Sequence, residues 1–318
     1  MALNRKGVFF TFVATVFLAL LIFSSVIGNN FRLRQISFAT ETRISTMNMF
    51  VNDVERDVER GAYIAGFRAL VALVDEVVSN GEYLTDVDAR FNELFFNGTL
   101  DGVNSSLLTN NTFTDWISKI ENEAQKIDLT LNLSLINASL FQDNPWEVGV
   151  EVNIWIFVSD REKTSFWNKS KSIKSYIELE GFEDPLYPLG TNGIVENRIE
   201  ETPHSYFVNG ADISNLLNHT YSGYYVAFTC APSFLMRLEG DFGSSEYGIE
   251  SLVDISELQS KGIVISQRSI VDHVYFYLGA NPKKYQVLGA PSWFDLDNNT
   301  DMGGTIGHLE LYEVNGLV

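Results

Sequence analysis

The sequence predicts an α+β protein: an N-terminal transmembrane helix, a long amphipathic helix continuing from it, and a β-rich ectodomain of antiparallel strands with a sandwich-like stacking. Three observations lead there. An uncharged apolar run opens the chain, a stripe of small and apolar residues at alternating three- and four-residue spacing follows, and two segments near the middle alternate with period two.

The run Val8–Ile27 contains no charge, proline or glycine, and only Thr11, Thr15, Ser24 and Ser25 interrupt it. A helix of that length rises roughly 30 Å, matching the hydrocarbon core of a bilayer. Each strongly apolar residue favours insertion by about 0.3–0.6 kcal/mol, and the four hydroxyls can bond back to their own helix carbonyls. The lipid bilayer is therefore the first expected partner. Arg5 and Lys6 before the run balance Arg32 and Arg34 after it, so the acidic, sequon-bearing remainder sets the expected topology: single-pass, N-terminus cytoplasmic, ectodomain outside. The competing reading is a cleaved secretory signal, whose apolar core is usually about 7–15 residues. This run is longer, and Val26-Ile27-Gly28 is a poor cleavage site.

Arg5-Lys6-Gly7 followed directly by Val8-Phe9-Phe10-Thr11-Phe12 resembles the class III signal of archaeal type IV pilin-like proteins, over about the first 30 residues. The resemblance implies a prepilin peptidase as partner, cutting between Gly7 and Val8. It further implies a retained helix that packs against copies of itself in a filament core. Phe12 stands where bacterial relatives often carry an acidic residue.

Between Arg34 and Ser79 there is no proline, and Met47, Val51, Val54, Val58, Ala62, Ala65, Ala69, Leu73 and Val77 fall on one helical stripe. Asn80-Gly81 supplies the left-handed stop. Gly61 and Gly66 mark close packing or a bend. The helix reads either as a stalk laid against a head or as a juxtamembrane helix packed on its own ectodomain. Residues 80–115 read as turn-rich, with a short helix at Asp115–Ile127 capped by Thr112 or Thr114. Leu129, Leu131, Leu133 and Leu135, then Val148, Val150, Val152, Ile154, Ile156 and Val158, alternate with polar residues. They predict an antiparallel hairpin turned at Gln142–Pro145. Further strands are expected at Ser175–Glu180, Gly223–Thr229, Gly262–Gln267, Val271–Leu278, Tyr285–Leu288 and His308–Val314. Short helices are expected at Asp212–Asn218, Ser233–Leu238 and Ile249–Gln259. Asp184–Gly193, rich in proline and glycine, reads as a linker or an ordered loop. The organisation is then a cytoplasmic leader at 1–7, the span at 8–27, the stalk helix at 28–80, and an ectodomain divided at 81–180 and 181–318.

With 22 basic against 41 acidic residues the net charge is −19, which repels nucleic acid and anionic headgroups. Asn-x-Ser/Thr triplets start at Asn97, Asn104, Asn110, Asn132, Asn137, Asn168, Asn218 and Asn298, as a glycoprotein in a glycosylating compartment would carry. Asp295, Asp297, Asn299 and Asp301 alternate oxygen ligands and form a loose calcium candidate. Thr300 and Ile306 stand where an EF-hand needs glycine and glutamate. Apart from calcium, no cofactor is expected. Cys230, the only cysteine, allows neither an internal disulfide nor a cysteine-built zinc site and reads as a small buried apolar residue. His204, His219, His273 and His308 are scattered, with no metal-ligand spacing. No catalytic motif is present, so an enzyme is not expected. The expected function is a membrane-anchored, cell-surface structural or adhesion protein, of pilin-like filament type. The alternative is an anchored glycan- or calcium-binding module, and the third reading is an anchored hydrolase using paired carboxylates.

Overall fold

The computed structural model describes residues 5–161, 165–279 and 281–318. Helix α1 (Arg5–Asn80) is a single 76-residue element. One segment of it, Phe9–Asn30, is long and apolar enough to cross a membrane, and none of that segment is buried against the rest of the protein. Two of its hydroxyls bond back along the helix: Thr11 Oγ1 donates to the carbonyl of Gly7 at 3.1 Å and Thr15 Oγ1 to that of Thr11 at 2.7 Å. Further along, all nine stripe residues from Met47 to Val77 are buried. The two ends of one helix thus meet different surroundings. Gly81 closes it with φ +69° and donates its N–H to the carbonyl of Val77 at 3.0 Å.

Helix α2 (Val87–Asn97) follows, capped by Asp86 accepting from Ala89 N. The segment 80–115 is therefore not only turns. Val87, Phe91, Leu94 and Phe95 lie at helical spacing and are buried, a stripe short enough to be hidden among polar neighbours. A small β1 (Thr99–Leu100) and β2 (Val103–Asn104) hairpin and a 3-10 turn lead to α3 (Phe113–Lys126). A full capping box between Thr112 and Asp115 starts α3.

Strands β3 (Leu129–Asn144), β4 (Glu147–Asp160) and β5 (Phe166–Glu178) form an antiparallel meander in that order. Leu131 pairs with Val158 and Leu135 with Ile154, and a bulge follows between Leu135 and Asn137. The whole β4 stripe from Val148 to Val158 has no exposure. A helical layer of α1, α2 and α3, rather than a second sheet, covers this sheet. The sandwich expectation is replaced by helix on sheet, because the faces available to bury Val148–Val158 belong to helices. Contact between α1 and the sheet is direct. A Cβ added at Gly66 would sit 2.9 Å from Val150 Cγ2, and one added at Gly61 would sit 2.4 Å from the Trp116 ring. Both glycines therefore mark close packing. Glu55 pairs with Lys169 and Lys171 of β5, and Arg43 with Asp160 at 3.1 Å, so ion pairs also link helix to sheet.

The remainder is built of short elements: α4 (Leu186–Thr191), α5 (Ser214–Ser222), β6 (Tyr225–Ala227), α6 (Phe234–Glu239), β7 (Ile249–Ser251), α7 (Ile255–Ser260), α8 (Asp272–Phe276), β8 (Lys284–Gln286), β9 (Asp295–Asp297) and α9 (His308–Leu311). β6 pairs with β7 and β8 with β9, both antiparallel. Of the two readings of Asp184–Gly193 the structure favours the ordered one, since Asp184 is fully buried and α4 follows it. Several other expectations fail here. Val271–Leu278 and His308–Val314 hold helices, with Val271, Val274 and Tyr275, and then His308 and Tyr312, buried at helical spacing. Gly262–Gln267 forms no strand, and Val264 is 93% exposed. Ile249–Gln259 divides, because Ile249–Ser251 pairs with β6 and the helix starts only after its Asp254 cap. Two hydrophobic cores result. One joins α1, the meander and Tyr225, Phe234, Leu238 and Ile249, while the other lies within 187–314. The first core crosses the boundary expected near residue 180.

Candidate functional site

The second half of the chain buries a set of charged and titratable side chains, Asp184, Arg237, Glu250, Asp272, Asp297 and His308. Cys230 lies in the loop after β6. Gly248 lets the β7 approach press on that loop: an added Cβ would meet the carbonyl oxygen of Ala231 at 2.1 Å and that of Phe228 at 2.4 Å. The N–H of Phe228 donates to the carbonyl of Gly248 at 2.9 Å and that of Ser245 to the carbonyl of Ala231 at 3.0 Å. Glu250 pairs with Val226 across the β6–β7 ladder. His273 is the second residue of α8 and His308 the first of α9. The Cys230 sulfur and one nitrogen from each of these imidazoles all lie within 4.8 Å of one another. His273 and His308 are buried, and Cys230 is half-buried. The two rings meet edge to face at 5.9 Å between centroids.

Carboxylates grip both imidazoles from behind. His308 Nδ1 is 2.7 Å from Asp297 Oδ1 and its Nε2 is 3.1 Å from Glu250 Oε2. Tyr312 donates to the other Glu250 oxygen at 2.9 Å. Nδ1 of His273 lies 3.3 Å from Asp272 Oδ1. Asp272 also accepts from Arg237 Nη1 at 2.9 Å, Ser251 N at 3.1 Å and Ser251 Oγ at 2.9 Å. The same Nη1 donates to Asp184 Oδ2 at 2.5 Å, and Tyr225 donates to that oxygen at 2.7 Å. Arg237, Asp184, Glu250, Asp272, Asp297 and His308 have no exposed surface.

Burial and charge oppose each other throughout this network. Burial disfavours the charged form of His308, but the Glu250 charge and the bond to Asp297 hold it protonated well above the usual imidazole range. His273 is raised too, against burial, by Asp272. Burial would push the Cys230 thiol up, and the two neighbouring imidazoles instead bring it down to about 7. Asp272, despite its burial, is held low by Arg237. Chemically, the cluster offers a readily ionised sulfur and two imidazoles braced by carboxylates. That set suits a metal ion of borderline softness.

The residues singled out from sequence fare differently. All eight sequon asparagines, Asn97 to Asn298, are exposed. The loose calcium set does not converge. Asp297 turns to His308, Asp295 pairs with Lys284, and Asp301 accepts from the backbone of Thr305 and Gly304's own turn. Gly7 is exposed with open space around it, while residues 1–4 and the side chains of Arg5, Lys6 and Val8 lie outside the described residues. The scattered histidines and lone cysteine of the sequence become a cluster through long-range packing. A signal existed: Arg237, Glu250, Asp272 and His308 each stand beside apolar residues that bury them, as in Leu235-Met236-Arg237-Leu238. Charge amid such neighbours marks a buried polar network. A cleft of about 1170 Å³ opens elsewhere, where α1 leaves the head at Thr42, Arg43, Met47 and Asp160. No family model, no curated protein and no solved structure matches this chain.

Proposed function

We propose that this protein is a membrane-anchored, surface-displayed structural or adhesion protein of pilin-like build, its head carried outside the cell on α1. One observation carries the reading: a single helix supplies both an uncovered apolar segment, Phe9–Asn30, and the buried spine of the head, Met47–Val77. At 1.5 Å per residue the first segment spans about 33 Å, enough for a bilayer core. In water its exposed phenylalanines and leucines would form an apolar surface far larger than soluble proteins tolerate. Lipid or the same segment of neighbouring copies removes that cost. The signal-like Arg5-Lys6-Gly7, the net charge of −19 and the exposure of every sequon are consistent with processing inside and display outside.

The test is made on the native protein in its own cells. The mature N-terminus is expected at Val8, the protein in the membrane fraction, and filaments or surface display lost when Gly7→Leu blocks processing. A mature product recovered without detergent and lacking residues 8–30 would refute the anchor. An anchored protein displayed normally in the Gly7→Leu form would refute the pilin-like part alone.

A further inference from the structure

We propose that Cys230, His273 and His308 constitute a mononuclear zinc site with three protein ligands. Around Zn²⁺, Zn–S near 2.3 Å and Zn–N near 2.0–2.1 Å place tetrahedral ligand atoms roughly 3.5 Å apart. The three donor atoms here already lie within 4.8 Å of one another, so small side-chain rotations close the set.

Four further observations favour a metal. First, ligating histidines characteristically present their second nitrogen to a carboxylate, which fixes the ring and raises its donor strength. Both imidazoles do so, His273 with Asp272 and His308 with Asp297. The carboxylates are themselves anchored: Arg237 and Ser251 hold Asp272, and the N–H of Asn299 donates to Asp297 at 2.8 Å. Second, fixed positive charge is short. Glu250, Asp272, Asp297 and Asp184 are all fully buried, and Arg237 is the only buried guanidinium or ammonium among the described residues, committed to Asp184 and Asp272. Glu250 and Asp297 have only His308 between them, and a bound dication would add to the positive charge they face. Third, Asp297 Oδ2 is buried without a hydrogen-bond partner, beside the imidazole that would carry the metal. Fourth, the donor set mixes one thiolate with two imidazoles. Zinc and copper accept that combination, whereas calcium and magnesium demand oxygen.

A nucleophilic cysteine is the rival use of these groups. It needs a substrate cleft beside the thiol, and five well-formed clefts of the head lie elsewhere, lined by none of Cys230, His273 and His308. At His308 the metal would take the place of the proton that Nε2 shares with Glu250, while Nδ1 keeps its bond to Asp297. A metal ion needs only the pocket its ligands make.

The test uses the full chain in detergent, stripped with a chelator, and cobalt(II) as probe. One equivalent is expected to produce a thiolate-to-cobalt charge-transfer band in the near ultraviolet, which surface carboxylates cannot generate. Zinc should displace it stoichiometrically. Cys230→Ala should abolish the band, and Asp297→Asn should weaken zinc binding by about 10–100-fold. As a check that needs no variant, one equivalent of zinc should protect Cys230 of the wild-type chain from alkylation, while magnesium should not. The proposal is overturned if cobalt gives no thiolate band, if Cys230→Ala binds zinc as the wild type does, or if zinc leaves alkylation unchanged.

Discussion

His219 offers the sharpest check on the packing of the second core. Its ring is fully buried, and Phe207, Tyr312 and Tyr224 surround it at centroid distances of 5.0, 5.8 and 6.4 Å. Neither ring nitrogen has a hydrogen-bond partner. Burial therefore penalises the imidazolium, with His204 adding to the effect, and the value falls from 6.5 to about 3. The sign follows from proton counting. Between pH 6.5 and 3 the unfolded chain holds a proton at this position and the folded chain does not, so stability falls as pH falls. Linkage between an unfolded value of 6.5 and a folded value of 3 gives a loss of about 2 kcal/mol from pH 7 to pH 5. Substitution His219→Phe keeps an aromatic ring among aromatic rings and removes the titration. Urea unfolding of the full chain in detergent, followed by tryptophan fluorescence at both pH values, reads the difference. His273 and His308 are present in both proteins and cancel. The wild type should lose about 2 kcal/mol more than the variant over this interval. Equal losses in the two proteins would mean that His219 is solvated or paired, and the packing described for it would be wrong.

Two other perturbations test neighbouring claims. Arg237→Met leaves Asp184 and Asp272 buried without their cation and should cost about 3–5 kcal/mol in urea unfolding; a loss below about 1 kcal/mol would show the pair to be neutralised or hydrated. Gly61→Ala separates two accounts of α1: a free stalk helix would gain about 1 kcal/mol from alanine, whereas the 2.4 Å approach to Trp116 makes the change destabilising by about 1–3 kcal/mol, read as a lower urea midpoint.

What could be read in advance depended on how local the cause was. The apolar span, the nine-residue stripe and the hairpin are set by spacing alone, and the stripe from Met47 to Val77 and the β4 run from Val148 to Val158 are buried as their periodicity requires. Short elements with mixed neighbours were harder. Val271, Val274 and Tyr275 carry a helical spacing, but aromatic and branched residues around them also suit a strand, and only the tertiary setting decides. The site was least legible. Cys230, Glu250, Asp272, Asp297 and His308 come from separate elements spread over nearly 80 positions. No fixed spacing records their meeting, which rests on two cores folding to the correct depth. Gly248 was equally silent, since its reason for being glycine is the backbone of Phe228 and Ala231.

Helix α1 is continuous from Arg5 to Asn80, and on the anchored reading this makes the head a lever rather than a tethered weight. From Asn30 to Val77 the rod measures about 70 Å. A tilt of about 20° within the bilayer, ordinary for a single span, swings its far end sideways by about 24 Å. Since the same rod is the core of the head, the movement reaches the sheet without slack, and a pull applied to the head is transmitted along one backbone into the lipid.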